Sequence, residues 1–256
     1  INRDTLLKAI NIFEKGKKVD PYNADNFYMV SRAYLMLCNL EEKENMLSSV
    51  ESNSLNAIKI DPYYAEAYQN LAYVYERRGK LEEAIKMNEK AFIANPTLTD
   101  LALLIYRYYE HHGKVENAFK LFDASVKLYP ENKKLIALIG DLYLELDQPD
   151  KAIDYYNKVL EKDSQNLQAI VGIGMSLLRK NDLDGAFKKF QEGMLVDPLY
   201  PALHNGLGAY YLRKGDLKRA KQEFEQTLSL DSNNNMAKRI LQQLKWKVYM
   251  KKIKVD

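Results

Sequence analysis

Few side chains in this sequence are of types that do chemistry. Histidine occurs three times, at His111, His112 and His204, and cysteine once, at Cys38. Adjacent residues on a helix diverge by about 100°, so His111 and His112 do not converge on one metal ion. His204 reads as a packed ring, not a catalytic one. Cys38 has no histidine close in sequence and reads as a buried or idle thiol rather than a nucleophile. Glu41, Glu42 and Glu44 form a short acidic run, expected to be a solvated turn. Gly172-Ile-Gly174 and Gly206-Leu-Gly208 share two glycines with dinucleotide loops, but they lack the third glycine and the preceding strand. No Walker loop, His-Glu-x-x-His or Cys-x-x-Cys occurs. The expectation is a non-catalytic protein that uses no cofactor and no metal, so its function must lie in a surface that larger elements build.

Composition narrows those elements. The 256 residues are 46% hydrophobic with a net charge of +3, which excludes an intrinsically disordered chain. One cysteine excludes a disulfide scaffold and fits the cytosol. No apolar run approaches the 18 or so residues of a membrane span. The opening INRDTLLKAINIF lacks the charged-then-apolar layout of a signal peptide. That leaves the compartment open: cytoplasmic by default, periplasmic or membrane-associated if the chain is part of a larger envelope protein.

A single period runs through the sequence. Pro62, Pro96, Pro130, Ser164, Pro198 and Ser232 are 34 residues apart. So are Ala57, Ala91, Ser125, Val159, Gly193 and Thr227, and again Ala84, Ala118, Ala152, Ala186 and Ala220. Bulky residues keep the same step at Tyr75, Tyr109, Tyr143, Leu177 and Tyr211. Each unit reads as two amphipathic helices. Tyr68, Leu71, Ala72 and Tyr75 have the i, i+3, i+4, i+7 spacing of one face, Gly79 breaks the run as a left-handed cap, and Pro96 ends a second face at Leu81, Ala84, Ile85, Ala91 and Phe92.

These residues resemble the tetratricopeptide repeat, whose 34-residue signature places bulky, small and proline residues at these offsets. One unit reads Tyr68-Leu71-Ala72-Tyr75…Ala84…Ala91…Pro96; another reads Ile170-Ile173-Gly174-Leu177…Ala186-Phe190…Gly193…Pro198. Asn88 departs from the pattern at an aromatic position and Tyr106 at a small one. The resemblance implies an all-α fold, a right-handed superhelical solenoid of antiparallel helix pairs. Residues 1–23 read as a half repeat with only its second helix, 24–64 as a long repeat with a seven-residue insertion, and 65–98, 99–132, 133–166, 167–200 and 201–234 as regular repeats, with 235–256 a capping helix and basic tail. Seven extra residues predict about one added turn in each helix of the long repeat, its second helix starting near Met46 behind an Asn45 cap, with Asn39 and Glu42 as a competing capping box. The half repeat predicts an excised piece of a longer protein, or a first helix that is lost or disordered.

The resemblance also implies that first helices line a concave groove. Residues expected to meet a partner there are Tyr28, Met29, Arg32, Asn70, Tyr73, Leu103, Leu104, Arg107, Leu138, Asp141, Val171, Met175 and Asn205. Gly172 and Gly206 are expected to leave room for a partner backbone, although small residues serve equally to pack neighbouring repeats. The expected partner is a peptide segment or helix of another protein. Relatives that hold the C-terminal carboxylates of heat-shock chaperones use a Lys/Asn, Asn, Lys/Arg set on three successive first helices. Only Asn70 fits, so no carboxylate clamp is expected.

Residues 235–256 carry seven Lys or Arg against Asp256 alone, which leaves the rest of the chain faintly acidic. No nucleic-acid binding is expected, and membrane contact only through this tail. The leading expectation is an interaction scaffold. The alternative is an accessory domain of a larger membrane or cell-envelope protein such as a bacterial glycan polymerase or ligase. Self-association through the open N-terminal end is a further expectation.

Overall fold

The computed structural model describes residues 2–41 and 44–253, with side chains described up to residue 246. Among the described residues it is all helix. The first helices are α1 (Arg3–Val19), α2 (Ala24–Glu41), α3 (Leu47–Ile60), α4 (Ala65–Arg77), α5 (Leu81–Ala94), α6 (Thr99–His111) and α7 (Val115–Leu128). They are followed by α8 (Lys133–Glu145), α9 (Pro149–Lys162), α10 (Leu167–Arg179), α11 (Leu183–Val196), α12 (Pro201–Arg213), α13 (Leu217–Leu230) and α14 (Asn235–Ile253). The chain divides into two compact units, 1–135 and 136–256, with the boundary inside α8.

In the first unit consecutive helices pack as hairpins, α2 on α3, α4 on α5 and α6 on α7. Helix α1 packs on α2 through Leu6 and Ile10 against Ala33 and Leu37. In the second unit α10 pairs with α11 and α12 with α13, and α14 closes on α13 by setting Ala237 and Leu241 against Ala220 and Phe224. The buried alanines of the repeat, Ala84, Ala118, Ala152, Ala186 and Ala220, are those whose spacing stands out in the sequence, because a larger side chain there would hold the paired helices apart.

The turn inside each hairpin is built alike. Gly79, Gly113 and Gly215 have φ of 71°, 65° and 78°, and Asp147 (φ 55°) and Asn181 (φ 61°) take the same left-handed conformation one period apart. Asp and Asn are among the non-glycine residues that tolerate this region.

The long repeat differs from its expected layout. Helix α2 runs 18 residues against 13 for α4, while α3 has 14, the same as α5. The extra length therefore lies in the first helix and the connection, not one turn in each helix. Asn45 falls in a short 3-10 turn, Glu44–Met46, and Met46 precedes α3 without a side-chain capping bond. Of the competing cap, Glu42 lies outside the described residues.

A β-carbon at Gly113 would meet nothing within 4 Å, so its backbone alone constrains it. Gly113→Ala is expected to lower stability by about 1 kcal/mol, the cost of a left-handed residue with a β-carbon, measured by urea denaturation. A neutral result would show that this turn relaxes without cost.

Candidate functional site

The first-helix positions are set by how second-helix side chains seat against them. In the second unit Tyr156 on α9 lies against Gly140 of α8 and Gly172 of α10. One period later Phe190 on α11 lies against Gly174 of α10 and Gly206 of α12. A β-carbon on Gly172 would stand 2.3 Å from Tyr156 Cζ, and one on Gly206 2.4 Å from Phe190 Cε1. This corrects the expectation that Gly172 and Gly206 leave space for a partner backbone. Both are buried, and an aromatic ring of their own chain already fills that space.

In the first unit the same three register positions hold a polar triad. Ser31 on α2, Ser54 on α3 and Asn70 on α4 are all buried. Asn70 Nδ2 donates to Ser31 Oγ (3.0 Å), the two serine hydroxyls lie 2.7 Å apart, and Ser31 Oγ also lies 3.1 Å from the Val50 carbonyl. Asn70 is thus spent on internal bonding, and its amide is turned away from a partner.

The other inner residues of the first unit are more open. Tyr28 is half-buried with its ring 5.0 Å from that of Tyr64, Met29 is half-buried, and Arg32 is exposed. Tyr73 donates its hydroxyl to Asn39 Oδ1 (2.5 Å). Arg107 bonds Glu110 (2.8 Å) and lies over the Tyr106 ring. Leu103 and Leu104 sit side by side on α6, 39% and 46% exposed.

In the second unit Leu138, Val171 and Met175 are half-buried, and the last two pack on the cluster around Phe190. Asp141 accepts from Tyr156 Oη on one oxygen (2.6 Å) and from Gln168 Nε2 on the other (2.9 Å). Burial pushes its pKa above the ordinary 3.8, against the lowering effect of those two bonds. The same burial and the Asp141 charge push the Tyr156 hydroxyl well above its usual range. Asn205 on α12 is half-buried, and its Oδ1 is buried without a hydrogen-bond donor. Asp141 is legible as an exposed-face residue from its register, whereas its partners Tyr156 and Gln168 are not. The available signal was Tyr156 itself, a hydroxyl-bearing ring in the register of Phe122, Phe190 and Phe224.

The residues weighed for chemistry are dispersed. His204 is buried, Nδ1 2.8 Å from Glu223 Oε2 and Nε2 2.9 Å from the Pro198 carbonyl. His111 and His112 are exposed, and His112 Nδ1 lies 2.7 Å from the Tyr108 carbonyl. Cys38 is buried, and burial pushes its thiol pKa up. Among the described residues no three His, Cys, Asp or Glu side chains group as a metal site, and no helix is long and apolar enough to cross a membrane. Side chains from Lys247 through Asp256, which carry most of the basic tail, lie outside the described residues. A cavity of about 630 Å³, lined by Pro96, Leu128, Tyr129 and Lys134 among others, opens between two inter-repeat loops of the first unit and is not foreseen from the sequence.

Helical hairpins repeated at one period and seated through one recurrent contact define an all-α repeat protein. The chain belongs to the tetratricopeptide-repeat family: three profiles of that repeat match residues 54–86, 111–172 and 201–234, together about half the chain. Among solved structures it is similar to the C-terminal part of a TPR repeat-containing protein from Cytophaga hutchinsonii (16% identity, 91% of this chain and 93% of that one, TM-score 0.58). It is also similar to Pseudomonas aeruginosa PilF (16% identity, 86% and 97%, TM-score 0.51). A chain of the APC/C hetero-tetramer Cut9-Hcn1 matches at 18% identity over 93% of this chain, with TM-score 0.51. This protein spans 45% of that chain. No curated protein sequence matches at a significant level.

Two outcomes follow from the geometry. Gly172→Ala is expected to cost about 1–3 kcal/mol through overlap with Tyr156, read from its thermal or urea transition. A wild-type transition would show that the ring can withdraw freely. Asp141 binds its proton more tightly in the folded than in the unfolded chain, so its ionised form opposes folding above the ordinary carboxylate pKa. Asp141→Asn should therefore raise the melting temperature at pH 7, by an amount that shrinks as acid protonates the wild-type carboxyl. A variant that melts lower at pH 7 would show that the bonds to Tyr156 and Gln168 outweigh desolvation.

Proposed function

We propose that this protein is a non-catalytic scaffold that holds a segment of a partner protein, extended or helical, against the first helices of its repeats. The observation that carries this reading is the pair Leu103 and Leu104. Single exposed leucines are ordinary on a protein surface. Here two large aliphatic side chains stand together on one inner helix, where the chain's own second helices do not cover them. Removing such a pair from water on binding would contribute roughly 25 cal/mol per Å² of apolar surface. Tyr28, Met29 and Tyr73 extend the same kind of surface in the first unit, and Leu138, Val171 and Met175 in the second. A chain of similar fold occurs in the APC/C hetero-tetramer Cut9-Hcn1, which supports an assembling role for this one.

Leu104→Glu tests the reading. The wild-type chain and the variant are immobilised and exposed to lysate of the source cell, with captured proteins identified by mass spectrometry. The expected result is a partner held by the wild type and lost by the variant, with unchanged helicity by circular dichroism. Identical capture by both chains would remove the inner helices of the first unit as the binding face.

A further inference from the structure

We propose that the inner surface of the second unit selects a partner segment carrying a lysine or arginine, whose cation pairs with Asp141 while flanking apolar residues lie on Val171 and Met175. This rests on the reading of the first helices as the binding face and adds the chemistry of what binds.

Around Asp141 donors and acceptors are out of balance. An ionised carboxylate offers about four lone-pair positions. Tyr156 and Gln168 take one on each oxygen of Asp141, and both donors are neutral. Among the described residues no Lys, Arg or His nitrogen reaches Asp141 within ion-pair distance. Three exposed or half-buried carboxylates of this unit do have cations, Asp147 from Arg179, Asp150 from Lys180 and Glu192 from Lys189. A partly buried carboxylate without a cation is held at a cost, and a cation brought to it recovers part of that cost.

A second, independent deficit has the same sign. Asn205 Oδ1, on α12, is a buried acceptor with no donor. Helix α10 is linked to both places, through the Gln168–Asp141 bond on one side and its packing against α12 on the other. Its own inner residues, Val171 and Met175, are apolar and half-buried. The surface thus presents a carboxylate without a cation and one amide oxygen without a donor beside apolar side chains. An ammonium or guanidinium, which donates only, satisfies acceptors of this kind, and a backbone or amide N–H satisfies Asn205. An acidic segment would place a like charge against Asp141 and leave its carboxylate without a cation. The thioether of Met175 adapts to flanking aliphatic groups of varied shape.

The probe is a random-peptide display library panned on the full chain, with Asp141→Asn and Val171→Glu alongside. The wild type is expected to enrich peptides with Lys or Arg at one fixed position, flanked by apolar residues. Replacing that lysine by norleucine in the synthetic consensus should weaken binding about tenfold or more, the value of one charge-assisted pair. Asp141→Asn should bind the two peptides alike while keeping the wild-type fold, a loss of selectivity that a purely structural role for Asp141 would not produce. Enriched peptides without a fixed cation, or an Asp141→Asn chain that still prefers the lysine peptide, would overturn the pairing. In that event, loss of binding in a folded Val171→Glu chain keeps the inner face as the site. Undiminished binding by Val171→Glu, or no enrichment on the wild type, overturns the inner-face reading and this inference with it.

Discussion

The surface of the first helices depends on where one side chain from each second helix goes. In the second unit that side chain is an aromatic ring, and it lies against the backbone of two successive first helices. Where the ring comes closest no β-carbon has room: Gly140 and Gly172 face Tyr156, and Gly174 and Gly206 face Phe190. Close packing leaves little tolerance: interiors are about as dense as organic crystals, so one added methyl is felt. The contact couples each repeat to the next, as nearest-neighbour interfaces do in repeat proteins.

The first unit meets the same geometric demand with different chemistry. Ser54 is too short to reach across as a ring does, so hydroxyls and an amide bridge the interval and satisfy one another through Ser31. Such a network holds only when its members are paired, because a buried donor or acceptor left unmet costs about 1–3 kcal/mol. Asn70 therefore belongs to the interior of the fold, although its register suggests a ligand-facing residue. One register position thus holds a buried amide bonded within the fold at Asn70, an exposed leucine at Leu104, and glycines under rings at Gly172 and Gly206.

Asp141 shows the opposite balance. Its two bonds orient the carboxylate without neutralising it, and burial still raises its pKa. Stability alone does not favour an ionised group in that setting. Leu103 and Leu104 carry a similar tension, since their apolar surface remains in water. The proposed binding surface accounts for both features.

Residue types along the chain were enough to establish the class of fold. A period of 34 residues, with alanines at the helix crossings and glycine, Asp or Asn at the left-handed turn, is written in residue types because steric demand at those points excludes most others. The open leucines of α6 were also legible, since their register follows from the repeat. The placement of the extra turns was not. Added length is compatible with either helix of a hairpin, and only packing decides that α2 takes it while α3 keeps the regular 14 residues. Nor could register alone tell a residue facing a partner from one facing its own neighbour. Tertiary structure turned Asn70 toward Ser31, filled the space at Gly172 and Gly206 with Tyr156 and Phe190, bonded Asp141 to two neutral donors, and left Asn205 Oδ1 without a donor. Those outcomes depend on which side chain arrives from the adjoining helix, a property of pairs of residues that one helix's periodicity does not contain.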